Sequence, residues 1–183
     1  MGRLDRLLEI MRHEAEVIEH ACDNLPEEDV RKALDLLVEK IENDRGIFIV
    51  GMGRTGLIGE CFAVRLVQMG ARCYIVGHST ERAIKSDDLL VALSVSGNTE
   101  FVNYAADVAR EEGAEVLAIT MNAESKIAER ADVLVVLPEP EEVILRTFSE
   151  LLMLSFLDGL AAQLAEELGV DESDMWERHA KIQ

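Results

Sequence analysis

The stretch between residues 47 and 137 constrains the fold more than anything else in the chain. Five short, largely apolar segments (47–50, 73–76, 88–93, 115–120 and 132–137) are separated by helical segments at 57–69, 98–112 and 124–130 and by one loop. Ile47-Phe48-Ile49-Val50 is apolar without alternation, as expected of a strand covered on both faces. Parallel strands need crossover connections, which are almost always right-handed helices. The expected fold is therefore α/β: a three-layer α/β/α sandwich around a five-stranded parallel sheet of flavodoxin-like order 2-1-3-4-5. That order puts the topological switch point between strands 1 and 3, where ligands bind at the strands' carboxyl ends.

Extra helices are expected at both ends. Residues 1–23 and 27–43 read as two amphipathic helices, the second carrying Val30, Leu34, Leu37, Val38 and Ile41 at helical spacing. Pro26 followed by Glu27, Glu28 and Asp29 is a helix start, with acids at the positive dipole end. Residues 141–168 read as one long helix ending at Gly169, and Asp171 to Asp174 opens a last one. At 183 residues the expectation is a single domain over 1–183: a helical lead-in (1–43), an α/β core (46–168) and a C-terminal helix (171–183).

Composition removes several functions. Apolar residues are 49% and charged residues 30%, a folding composition. Acids outnumber bases 36 to 18, for a formal charge of −18. Nucleic acid is excluded as a partner on that balance, and an anionic membrane surface is disfavoured. The start, Met1 to Asp5, has an early acid and no apolar segment, so no signal peptide is expected. The apolar run 151–157 is far shorter than the ~20 residues of a spanning helix. Cys22, Cys61 and Cys73 are scattered and odd in number, which argues against disulfides and metal and for a reducing cytoplasm. Cys61 and Cys73 are expected to be buried packing thiols.

The two loops at the switch point carry the chemistry. The first, Gly51-Met52-Gly53-Arg54-Thr55-Gly56, opens a helix whose free N–H groups face an anion, and Arg54 adds a positive charge there. It is also a literal G-x-G-x-x-G. A dinucleotide site would want an acid at the tip of strand 2, where Val76-Gly77-His78-Ser79 has none and Glu81 lies past the turn. The second loop, Ser94-Val95-Ser96-Gly97-Asn98-Thr99, brings three hydroxyls in six positions to another helix start. A single capping residue would satisfy that helix end. Hydroxyls and N–H groups there hold a phosphate without net charge.

The loop Ser94-Val95-Ser96-Gly97-Asn98-Thr99 resembles the S-x-S-G-x-T phosphate loop of the SIS (sugar isomerase) domain family. The stretch from Ile49 to Gly59, with Arg65-Leu66 on the following helix, is more specifically similar to the 6-phospho-3-hexuloisomerase family, whose loop reads G-x-G-R-S-G. The resemblance implies a homotetrameric isomerase interconverting 3-hexulose 6-phosphate and fructose 6-phosphate, without a cofactor. It implies a phosphate held by Thr55, Ser94, Ser96 and Thr99, and Gly53, Arg54, Gly97 and Asn98 complete the proposed phosphate loops.

Moving a carbonyl along a sugar through an enediol needs a base that takes a proton from carbon and returns it next door. Glu150, heading the apolar stretch Leu151-Leu152-Met153-Leu154, is the candidate base. The family's Gly-Thr-x-Phe-Glu segment places its Glu here too, although Arg146 stands at the Gly position and Ser149 at the Phe position. His179 is the second candidate, on the resemblance of Arg178-His179-Ala180 to the family's ending, and in an oligomer it could serve a neighbour's site. In the loop after strand 2 the family shows Glu-x-Thr-x-Pro, where this chain has His78, Thr80 and Glu81. These departures keep a second expectation open: a non-catalytic module that binds and senses a phosphosugar.

Overall fold

Gly46–Val50 (β1) is buried at all five positions, and its side chains divide between two cores. Ile47 and Ile49 enter one hydrophobic cluster, Phe48 and Val50 the other. Leu89–Leu93 (β3) repeats the pattern: Leu89, Val91 and Leu93 join the first cluster, Leu90 and Ala92 the second. Successive side chains point to opposite faces of a strand, so an uninterrupted apolar run supplies both cores at once.

The computed structural model describes residues 4–143 and 145–181. With Arg72–Ile75 (β2), Glu115–Thr120 (β4) and Val133–Val136 (β5), the strands form one sheet of order β2-β1-β3-β4-β5. Every pairing is parallel, with Ile47 against Cys73 and Leu89, and Ala92 against Ala118. The expected sheet and its switch point between β1 and β3 are thus present.

Asp5–Asp23 (α1), Glu27–Glu42 (α2), Arg54–Gln68 (α3) and Thr147–Glu167 (α5) enclose the larger core on one face. Glu100–Glu111 (α4) covers the smaller core through Val102, Ala106 and Ala109. Glu172–Glu177 (α6) packs near α3. By length and composition α5 alone among the described helices is apolar enough to cross a membrane, yet half of that stretch is buried against its neighbours. A helix apolar on all sides is what a core position between other helices demands.

Four local expectations are corrected. The helix expected from 141 begins only at Thr147, because Arg146 is left-handed (φ 61°) and Glu142 folds back as an external cap. Its Oε1 accepts from the N–H of Ser149 at 2.8 Å and its Oε2 from that of Phe148 at 3.2 Å. Residues 124–130 form only a single 3₁₀ turn, Ala128–Arg130. The last helix stops at Glu177, which leaves His179 beyond it. Residues 1–3 and 182–183 of the expected terminal helices lie outside the described residues. Cys61 is exposed on α3 rather than buried. Cys73 is half-buried, and burial pushes its thiol up to about 12.

Candidate active site

α3 and α4 both start at the carboxyl edge of the sheet, one after β1 and one after β3. Gly53 turns the first loop at φ 60°, and Arg54 begins α3 immediately. In the second loop Gly97 has φ 66°, and a Cβ there would lie 2.0 Å from Ser125 Oγ. Only glycine fits that position without displacing Ser125.

Between the loops lies a cavity of about 180 Å³ lined by Met52, Thr55, Leu93, Ser94, Val95, Ser96, Thr99, Arg146 and Glu150. At ~30 Å³ per water it has room for a phosphate and part of a small ligand. Thr55 and Ser94 are buried, and Ser96 and Thr99 are half-buried. The Ser94 and Thr99 hydroxyls lie 3.0 Å apart, and the N–H of Gly97 donates to Ser94 Oγ at 3.1 Å. The N–H of Asn98 donates to Ser96 Oγ at 3.3 Å. The hydroxyls are therefore pre-positioned by short contacts within the loop. The first turn of α4 leaves backbone donors without helical partners at the same place.

Glu150 stands in the first turn of α5, with its side chain 13% exposed. Arg54 Nε approaches its Oε2 to 2.9 Å. The approach lies off the N–H direction, so Oε2 is ion-paired yet accepts no aligned hydrogen bond among the described residues. An under-satisfied carboxylate oxygen facing a cavity is free to take a proton or a ligand hydroxyl.

The predicted residues separate into lining and scaffold. Thr55, Ser94, Ser96, Thr99 and Glu150 share the cavity, and Arg54 contacts Glu150 from its edge. Gly53 and Gly97 shape the loops. Asn98 braces them: its Nδ2 donates to Ser96 O at 3.1 Å, and its Oδ1 accepts from the N–H of Lys126 at 3.2 Å. His179 does not join them within one protomer. It lines a separate cavity of about 370 Å³ with Glu60, Tyr74, His78, Thr80 and Glu81, beside the β2 edge. Glu81 is spent locally, its carboxylate accepting from the N–H of Gly77 at 3.0 Å. Arg146 was legible only as a departure from a pattern; its place in the cavity follows from the backbone turn that starts α5. A larger cavity, about 760 Å³, is an apolar groove between α1, α2 and α5 and lies away from both loops.

Comparison with known proteins identifies the family and the fold. Residues 40–163 match the model of the SIS domain. The 3-hexulose-6-phosphate isomerase of Methanocaldococcus jannaschii is 36% identical over 155 residues, covering 83% of this chain and 85% of that protein. A crystal structure of a Methanococcus jannaschii protein, described as inferring a 3-hexulose-6-phosphate isomerase function, superposes with a TM-score of 0.80 at 32% identity. The match covers 97% of this chain and 99% of that one. The phosphoheptose isomerase of Neisseria gonorrhoeae has the same fold, at TM-score 0.75 and 20% identity over 90% of this chain and all of that one.

Proposed function

The chain belongs to the SIS domain family, and from that premise we propose that it interconverts 3-hexulose 6-phosphate and fructose 6-phosphate. The observation that carries this reading is the shared cavity: four hydroxyl side chains at the helix starts on one side, and one carboxylate on the other. The phosphate is held by Thr55, Ser94, Ser96 and Thr99 with backbone donors of the loops. Glu150 takes the proton from the carbon beside the carbonyl and returns it to the former carbonyl carbon. No cofactor is needed, because the step moves one proton and one double bond within the sugar. His179 serves a neighbouring subunit's site in a homotetramer, which accounts for its distance from Glu150 in one protomer.

The test is direct. Wild-type protein supplied with 3-hexulose 6-phosphate should form fructose 6-phosphate, read through a coupled NADPH assay. Absence of product rejects the reading. Glu150→Gln should lower kcat by about 10²–10⁴-fold, the usual worth of a positioned base, while phosphosugar binding persists. A binding-only sensor is the competing reading. The Arg54–Glu150 ion pair favours it, since the guanidinium occupies a carboxylate oxygen that a base would have to present to the substrate. Ligand-induced stabilisation without turnover would decide for it.

A further inference from the structure

We propose that Arg146 is the group that meets the reacting oxygens of the sugar and stabilises the enediolate, an assignment that rests on the isomerase reading above. Three observations carry it. First, it lines the same cavity as Glu150 and the phosphate-loop hydroxyls. Second, its backbone is left-handed, with φ 61° and ψ 14°, and Leu145 before it is also at positive φ. Glycine would hold that turn freely, whereas an arginine holds it against a steric cost, and such costs concentrate where a side chain is needed. Third, the guanidinium is loosely held. Its Nη1 is 3.5 Å from Glu139 Oε1, and both side chains are half-exposed or more, so it can turn to a ligand. Arg54, by contrast, stands 2.9 Å from the carboxylate that must act as base.

The chemistry requires such a group. Glu150 removes the proton from C2 of the 3-ulose. The C–H electron pair forms the C2=C3 bond, and the carbonyl π pair moves to O3. The proton on O2 passes to O3, and Glu150 returns its proton to C3, which leaves the carbonyl at C2. Atoms and electrons balance, but negative charge stands on oxygen beside Glu150 throughout. The other polar side chains lining the cavity are neutral hydroxyls, and His179 lies in another cavity. A guanidinium aimed at that oxygen is worth most where charge develops.

The experiment compares wild type with Arg146→Gly and Arg146→Lys. Glycine keeps the left-handed turn, so Arg146→Gly should melt at the same temperature as wild type or higher. Its kcat should fall roughly 100-fold, with KM for 3-hexulose 6-phosphate changed by no more than about threefold. Arg146→Lys should recover part of the loss. A phosphorylated hydroxamate that mimics the enediolate should lose affinity for Arg146→Gly by a similar factor, while a hexitol 6-phosphate binds both proteins equally. Retention of kcat in Arg146→Gly overturns the assignment, and so does a rise in KM alone. If the wild type gives no turnover, the isomerase reading falls separately, and equal hydroxamate affinity in the two proteins then overturns the role of Arg146 as well.

Discussion

Replacing Gly97 by Ala tests whether the phosphate loop is held by a packing constraint or only by its own hydrogen bonds. Two costs can be worked out from the structure. The residue sits at φ 66°, where an L side chain costs about 1–2 kcal/mol. Its new Cβ would also lie 2.0 Å from Ser125 Oγ and 2.3 Å from Ser125 Cβ. Ser125 is 1% exposed, and its hydroxyl donates to Asn122 O at 2.6 Å, so it cannot step aside without breaking a buried bond. Overpacking of that kind costs about 1–3 kcal/mol. Together the variant should lose about 2–5 kcal/mol. For a chain of this size that is a fall in Tm of roughly 4–20 °C. The N–H of Gly97 donates to Ser94 Oγ at 3.1 Å, so the strain reaches Ser94, and phosphosugar affinity should fall with stability. Adding Ser125→Gly removes both clashing Ser125 atoms and leaves the backbone term with one tight contact, to Thr120 Oγ1 at 3.0 Å. The double variant should therefore be more stable than the sum of the two single effects, by about 1–3 kcal/mol. Urea denaturation of the four proteins measures this. A loss below about 1 kcal/mol in Gly97→Ala, or simple additivity in the double variant, would refute the packing argument.

Other expectations follow from groups outside the cavity. Asp88 is buried, which alone would raise its carboxyl. Bonds from Arg82 and from the N–H groups of Gly46 and Lys85 instead hold it below its ordinary value. Its contribution is complete above about pH 4, the unfolded value, and is lost as pH falls through the lower folded value. Asp88→Asn should therefore cost about 2–3 kcal/mol at pH 7, allowing for the part-exposure of Arg82, and progressively less as the pH falls below about 4; denaturation midpoints across that range check it. Cys73, its thiol pushed up to about 12 by burial, should resist alkylation at pH 8 in the native protein. Exposed Cys22 and Cys61 should react there, and mass mapping of the labelled cysteines reads the difference.

What the sequence revealed depended on how local the cause was. The sheet order was readable because runs such as Ile47 to Val50 feed both cores and admit no other environment. The convergence of the two loops followed from that order alone. The start of α5 was not readable, because it is set by Glu142 reaching six to seven residues ahead to cap Phe148 and Ser149 and by a left-handed Arg146. Within the loop, residue type could not separate Ser96, which lines the cavity, from Asn98, whose side chain is occupied by Ser96 O and Lys126 N. Side-chain direction decides that, and it depends on contacts between segments far apart in sequence. Cys61 misled for a similar reason: α3 buries Ile58, Phe62 and Leu66 but leaves a face outward, and the phase of the helix separates the two.

The acid excess poses a final question about how this chain recruits an anion. A net charge of −18 repels a phosphate dianion at long range, so the whole-molecule field opposes encounter. At contact the balance is different: buried hydroxyls, loop N–H groups, two helix starts, Arg54 and Arg146 surround the cavity against the one carboxylate of Glu150. The two ranges respond differently to salt. Raising ionic strength from about 0.01 to 0.15 M shortens the Debye length from ~30 to ~8 Å, which removes the distant repulsion and leaves the contacts at ~3 Å almost intact. The kcat/KM for the phosphosugar should therefore rise a few-fold over that range in sodium chloride, the opposite of an enzyme that steers its anion with a basic surface. A steep fall instead would mean that the two arginines attract at a distance. The cavity would then be an electropositive funnel rather than a set of neutral donors reached in spite of the field.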